Sequence, residues 1–180
     1  MSQLKALIVA LGSISLTACG GMSDEDIDRG WQATQAMLVA GAATHGQALT
    51  SVDAGTDFDM PCPGGGNASF EAQAEASLDA GRAEADFSYL VSFDACVVEQ
   101  VQIDGSVAYA SESSAELGEA SHTFIYLGDV EWSGAVEGGC PINMVGTAAA
   151  GVSSLGLSAS LEFDGNICGR DADMALGFSL

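Results

Sequence analysis

The sequence predicts a mainly β, α+β fold: a twisted antiparallel sheet of about seven or eight strands, one N-terminal helix and two disulfide-clasped hairpins. Three observations predict it. Long stretches alternate apolar and polar residues with a period of two, the signature of strands with one buried face. One segment alone repeats its apolar residues at helical spacing. Four cysteines fall in two similar contexts, each a Cys-Pro followed by a later Phe-Asp and then, some thirty residues after the first, a second cysteine.

The chain begins with a segment that is not part of this fold. Met1 to Lys5 carry one positive charge, and Ala6 to Leu16 are mostly apolar. The run is shorter than the roughly 20 apolar residues of a transmembrane helix. A basic start, a short apolar run and small residues before Cys19 describe an export signal spanning residues 1–18. The ending Leu16-Thr17-Ala18-Cys19 resembles the lipobox of bacterial lipoproteins. The resemblance implies that Cys19 is acylated and becomes the new N-terminus. It also implies, with Gly20 rather than Asp after the cysteine, sorting to the outer membrane. Two or more acyl chains meet the requirement for stable anchoring.

Residues 19–23 read as a lipidated tether, and residues 24–43 as the helix. Ser23 can cap it, and Asp24, Glu25 and Asp26 suit the positive end of its dipole. Ile27, Trp31, Thr34, Leu38 and Ala42 recur at helical spacing, so Trp31 is expected to pack on the sheet. Residues 44–61 are rich in Gly, Thr, Ser, Asp and Pro and read as a linker with room for one short strand.

The β domain is expected over residues 62–180. Ala68, Phe70, Ala72, Ala74, Ala76 and Leu78 alternate with polar residues. Alanine favours helix by propensity, but helical geometry would scatter these six around the axis, whereas a strand puts them on one face. Gly81 makes the turn, and Ala83, Ala85, Phe87, Tyr89, Val91 and Phe93 return. Val101, Ile103, Val107 and Tyr109 form the next strand, with Asp104-Gly105 a turn or bulge. Ser111 to Ala120 read as a polar loop. Thr123, Ile125 and Leu127 precede Gly128-Asp129, and Val130, Trp132, Gly134 and Val136 follow. Leu155 to Phe163 alternate again, and Ala172, Met174, Leu176, Phe178 and Leu180 form the last strand.

The hairpins choose among the three pairings open to Cys62, Cys96, Cys140 and Cys168. A turn at Gly81 brings Cys62 close to Cys96, and a turn near Gly151 to Ser154 brings Cys140 close to Cys168. The matching contexts of the two pairs also suggest an internal duplication. The spacings contain no Cys-x-x-Cys, and His45 and His122 lie far from the cysteines in sequence, which argues against zinc.

Charge narrows the function classes. The 180 residues hold 4 Lys+Arg against 25 Asp+Glu, a net charge of −21. Loss of the signal removes Lys5 and no acid, leaving Arg29, Arg82 and Arg170. A nucleic acid would be repelled, as would an anionic membrane surface sought through a basic patch. The hydrophobic share of 48% is too high for a disordered acidic tail.

No nucleophile elbow, zinc helix or phosphate loop is present, so no catalytic residue, metal ligand or cofactor is assigned. His122 and the many serines could meet in space, but no spacing requires it. Asp24-Glu25-Asp26-Asp28, Asp57-Asp59 and Asp171-Asp173 are rich in oxygen, yet none matches the twelve-residue calcium loop. The terminal alternation resembles the last strand of an outer-membrane barrel, but 3 Tyr and 2 Trp are too few for aromatic girdles.

The mature chain as a whole resembles exported Gram-negative lipoproteins that combine a short helix, a Cys-Pro-Gly-Gly segment and a β domain. The likeness rests on the lipobox, Trp31-Gln32-Ala33-Thr34 and Cys62-Pro63-Gly64-Gly65. It implies a layout and no activity. The expectation is therefore a membrane-tethered, non-catalytic structural or interaction module of the cell envelope. The alternative is a carrier or binding module that holds an apolar ligand on a curved sheet. A sheet fully covered by the helix would favour the first, and a roomy concave face the second.

Overall fold

A computed structural model describes residues 22–48, 54–153 and 156–172. The export signal, Cys19 and the expected last strand beyond Ala172 lie outside the described residues.

The chain forms one helix, α1 (Asp24–Ala48), and eight strands: β1 (Ala54–Pro61), β2 (Asn67–Asp79), β3 (Arg82–Val98), β4 (Val101–Glu116), β5 (Glu119–Gly134), β6 (Gly138–Ser153), β7 (Gly156–Ile167) and β8 (Arg170–Asp171). The strands make one open, twisted antiparallel sheet in the order β1 to β8, each paired with its neighbour in sequence. The expected sheet and helix are both present. The helix runs five residues past its expected end at Ala43, and the expected linker contains β1.

Helix α1 starts where its cap predicts. Ser23 Oγ accepts from the Asp26 N–H at 3.2 Å and donates to the Asp26 carboxylate at 2.6 Å. This is a reciprocal capping box, and the hydroxyl holds the Asp26 carboxyl below its usual pKa. The helix lays Ile27, Trp31, Ala33, Thr34, Met37 and Leu38 on the sheet, all buried. Two glycines set how closely it lies. A Cβ at Gly30 would collide with the Trp132 ring, and one at Gly41 with the Phe70 ring. Glycine costs about 1 kcal/mol in a helix interior, and here that cost permits two large rings beneath the helix axis. Thr34 completes the contact. Its Oγ1 accepts from Trp132 Nε1 at 3.1 Å and donates to the Gly30 carbonyl at 2.9 Å, so both buried polar groups are satisfied. Arg170 ties the helix start to the far sheet edge through Asp28 at 2.8 Å and Asp24 at 3.6 Å.

Two disulfides close the same end of the sheet. Cys62–Cys96 joins the β1–β2 connection to β3, and Cys140–Cys168 joins β6 to the β7–β8 turn. These are the expected pairs. Beside the first, the β3–β4 pairing shifts between Phe93 and Cys96, a β-bulge. Asp104 Oδ1 accepts from the Ala95 N–H at 2.8 Å and pins that bulge.

Two readings need correction. Ser111 to Ala120 is not a loop: β4 and β5 pair out to Glu116↔Glu119, with only Leu117-Gly118 between them. Nor is the apolar set Thr123, Ile125 and Leu127 the inward one, because β5 runs unbroken from Glu119 to Gly134. Its inner face carries Phe124, Tyr126, Val130 and Trp132. Ile125 and Leu127 therefore point outward, where register places them beside Ala110 and Ala108, both buried. β5 is apolar on both faces, which defeats a period-two reading of its inward side.

Candidate functional site

Every inner-face row of the sheet can be followed across the strands by register. One row runs Phe70, Val91, Val107, Gly128, Ile142 and Ile167, from β2 to β7. It is buried beneath α1. Three rows further along the same strands, the row runs Ala76, Ala85, Ser113, His122, Ala148 and Leu161. The next is Leu78, Ala83, Ala115, Ala120, Ala150 and Ala159. These distal rows belong to the core-bearing face, but α1 does not reach them. Leu78 is 78% exposed and Leu161 37%.

Geometry accounts for the uncovered area. β3 has 17 residues, about 55 Å at roughly 3.3 Å per residue. The helix crosses the strands from β8 toward β2, as its contacts with Arg170, Trp132 and Phe70 require. A helix about 10–12 Å wide lying across such strands leaves much of their length bare.

The bare face is concave. A groove of about 740 Å³ is lined by residues from β2 through β7, including Ala76, Ala85, Ala120, His122, Ala148 and Ala159. Its volume is within the range of ligand clefts. On the opposite side of the same strand ends, a polar depression of about 500 Å³ is lined by Arg82, Glu116, Glu119, Ser121 and Ser158. Arg82 there pairs with Glu84 at 3.0 Å.

A band of aromatic rings separates the covered and bare parts. Tyr89 stacks on Tyr109 at 5.0 Å, Tyr109 meets Tyr126 at 4.8 Å, and Phe124 continues to Phe163 at 6.1 Å. The band holds all 3 tyrosines of the chain. Burial raises the pKa of each, Tyr126 to about 12. Loss of solvation disfavours phenolate, so the band stays neutral. Trp31 stands edge-on to Tyr126 at 6.3 Å, and its buried Nε1 has no hydrogen-bond partner among the described residues.

Among the inner-face residues of the groove, one polar pair meets. Ser113 Oγ and His122 Nδ1 are 2.8 Å apart, directly across β4 and β5. Sequence reading passed over the pair because it took the turn for a loop; Leu117-Gly118 between two alternating stretches was the available signal. A serine nucleophile needs its histidine oriented by a third group. The inner-face neighbours of His122 are Phe124, Ala120, Ser113 and Ala148, none of them acidic. Glu112, Glu116 and Glu119 alternate to the other face.

Among the described residues, no three His, Cys, Asp or Glu side chains gather to hold a metal ion. Asp57 and Asp59 lie on the polar face of β1, where Asp59 accepts from Ser69 at 2.6 Å. Asp24 and Asp28 hold Arg170. Asp171 closes the short β8, and Asp173 lies outside the described residues. Cys19 does too, whereas Cys62, Cys96, Cys140 and Cys168 are all in disulfides. Compared with known proteins, this chain matches no family model, no curated sequence and no solved structure.

Proposed function

We propose that this chain is an exported lipoprotein, anchored in the outer membrane by acyl groups on Cys19, that serves as a non-catalytic binding module. The surface assigned to binding is the bare inner face of the distal sheet. The observation that carries this reading is the groove of about 740 Å³ on the core-bearing face, lined mainly by alanine and left uncovered by α1. A soluble domain seldom leaves a contiguous apolar concavity of this kind without a use. The lipobox, Leu16-Thr17-Ala18-Cys19, supports the anchor. The two disulfides support export, since such bonds persist in oxidising compartments.

Two measurements test the reading. Cys19→Ala should move the protein from the membrane to the soluble fraction, and persistent flotation with the outer membrane would refute the anchor. The neutral apolar dye Nile red should bind the Cys19→Ser chain and brighten, and Ala120→Trp should abolish the brightening by filling the groove. Dye uptake that is absent, or unchanged by Ala120→Trp, would refute the binding surface and leave a purely structural module.

A further inference from the structure

We infer that the inner side of the molecule, the back of α1 together with the distal sheet, lies on the lipid surface that holds the acyl anchor. This rests on the reading of Cys19 as the anchor and specifies which surface the membrane meets.

Charge divides the two sides. Followed by register, the inner-face rows from β2 to β7 contain no Asp, Glu, Lys or Arg. The acids of those strands, among them Glu71, Glu75, Asp86, Glu112, Glu119 and Glu162, alternate to the outer face. Helix α1 matches the inner face. Its acids are confined to its start, where Arg170 holds Asp24 and Asp28, and from Gly30 to Ala48 it carries no Asp, Glu, Lys or Arg.

Exposed aliphatic side chains follow the same division. Scattered singly they mean little, but here they are sorted. Val39, 68% exposed, stands on the back of α1, and Leu78, Leu161 and Val152, the last 65% exposed, project from the inner face. Leu117, 99% exposed, tips the β4–β5 hairpin at the same distal end. Among the described residues, only Leu90 departs from this, on the outer face. Aliphatic contacts on an uncharged side, backed by a charged one, suit a surface that lies at a lipid interface.

The anchor leaves from the same side. Met22 packs against Gly138, which lies in the inner-face row of Trp132. Only Gly20 and Gly21 separate Met22 from Cys19, a reach of about 11 Å at most. The covered end is therefore held close to the headgroups. Val152 lies about 45 Å further along β6 from Gly138. A sheet standing on its covered end would leave Leu78, Leu117 and Val152 in water at that distance. One lying on its outer face would press its acids on the headgroups, against repulsion from anionic lipids. Lying on its inner side, the molecule brings the acyl chains, Val39 and the distal aliphatics to one surface, and the alanine groove opens onto the bilayer.

The test uses the acylated full chain in vesicles of zwitterionic phosphatidylcholine. A single cysteine replaces Val39, Val152, Glu75 or Glu162 and carries the fluorophore NBD, and nitroxide-bearing lipid quenches labels that reach the interface. Val39→Cys and Val152→Cys should be quenched about threefold more than Glu75→Cys and Glu162→Cys. Leu78→Asp combined with Leu117→Asp should lower the quenching at Val152→Cys to the outer-face level, while the chain still floats with the vesicles and melts within a few degrees. Equal quenching on both faces, or none on either, overturns the proposal and leaves the anchor standing. Quenching at Val152→Cys that ignores the two aspartates shows the label seeking lipid by itself, and also overturns it. A chain that does not float has lost the anchor reading, and this proposal falls with it.

Discussion

One sheet, two faces of its own length: under α1 the inner rows are valine, isoleucine, tryptophan and phenylalanine, and beyond the tyrosine band the same strands turn to alanine. The backbone does not change. Register continues without a shift from Val91↔Val107 to Ala83↔Ala115, and from Trp132↔Gly138 to Glu119↔Gly151. What changes is the source of order. The covered half is held by burial of large side chains, at roughly 25 cal/mol per Å² of apolar surface. The distal half has little to bury, because alanine offers little area and strands disfavour it. Its strands persist because each continues a ladder already fixed beneath the helix. A hairpin alone is marginal in water; a hairpin grown from a packed sheet inherits its register at little further entropic cost.

If that division is right, large-to-small changes should be severe only under the helix. Trp132→Ala removes a side chain only 3% exposed and takes away the indole N–H that Thr34 Oγ1 accepts. It should cost about 3–5 kcal/mol, read from denaturant unfolding with unchanged slope. A loss below about 1 kcal/mol would mean that the helix does not rest on this ring.

Next in size are the crosslinks, both at the covered end. Cys62–Cys96 and Cys140–Cys168 span 34 and 28 residues. Replacing either pair with serine should cost about 3–4 kcal/mol in the chain-entropy model. Tyrosine absorbance should show the band disordering first in the reduced protein, since the loosened strand ends support it.

Alkali probes the boundary. All three phenols are raised by burial, Tyr126 to about 12. Unfolded tyrosine titrates near 10. Above that pH the unfolded chain releases protons that the folded chain keeps, so stability falls as pH rises from about 10 toward 12. The slope approaches about 1.4 kcal/mol per pH unit for each phenol still protonated in the fold. Stability should be flat with respect to tyrosine below pH 9. A tyrosine titrating at its ordinary value in the native protein would place the band in solvent.

Gly41→Ala sets two effects against each other. Helix propensity favours alanine by about 1 kcal/mol. The new methyl, however, meets the buried Phe70 ring, which has no room to yield. Overpacking costs about 1–3 kcal/mol, so a net loss of roughly 1 kcal/mol is expected. A gain in melting temperature would show that α1 rides higher on the sheet than its contacts indicate.

These contrasts also explain what could be read without coordinates. The alternation from Ala68 to Phe93 carried its own register, and the cysteine pairs followed from it because a hairpin has only one geometry. Where both faces are apolar, as at Phe124-Ile125-Tyr126-Leu127, period two loses its sign, and the inward side of β5 was not legible. The Ser113–His122 pair was hidden by a turn of two residues in a polar stretch. The groove was hidden more deeply. Alanine at alternate positions says that a face is small and apolar; only the path of α1 across the strands decides which alanines it covers.

The smallest expected effect bears most on function. Leu78→Ser and Ala120→Ser lie on the core-bearing face, yet Leu78 is 78% exposed and Ala120 is also exposed. Removing apolar surface that solvent already touches should change stability by no more than about 0.5 kcal/mol. The same substitutions in the row of Val91 would remove fully buried groups. If unfolding shows a larger loss, the distal face is a second core and the groove is closed in solution. If the loss is negligible while Nile red uptake falls, the fold does not require those side chains to be apolar. Their place on an exposed strand, where serine would serve the sheet equally well, is then explained by what they touch when something is bound.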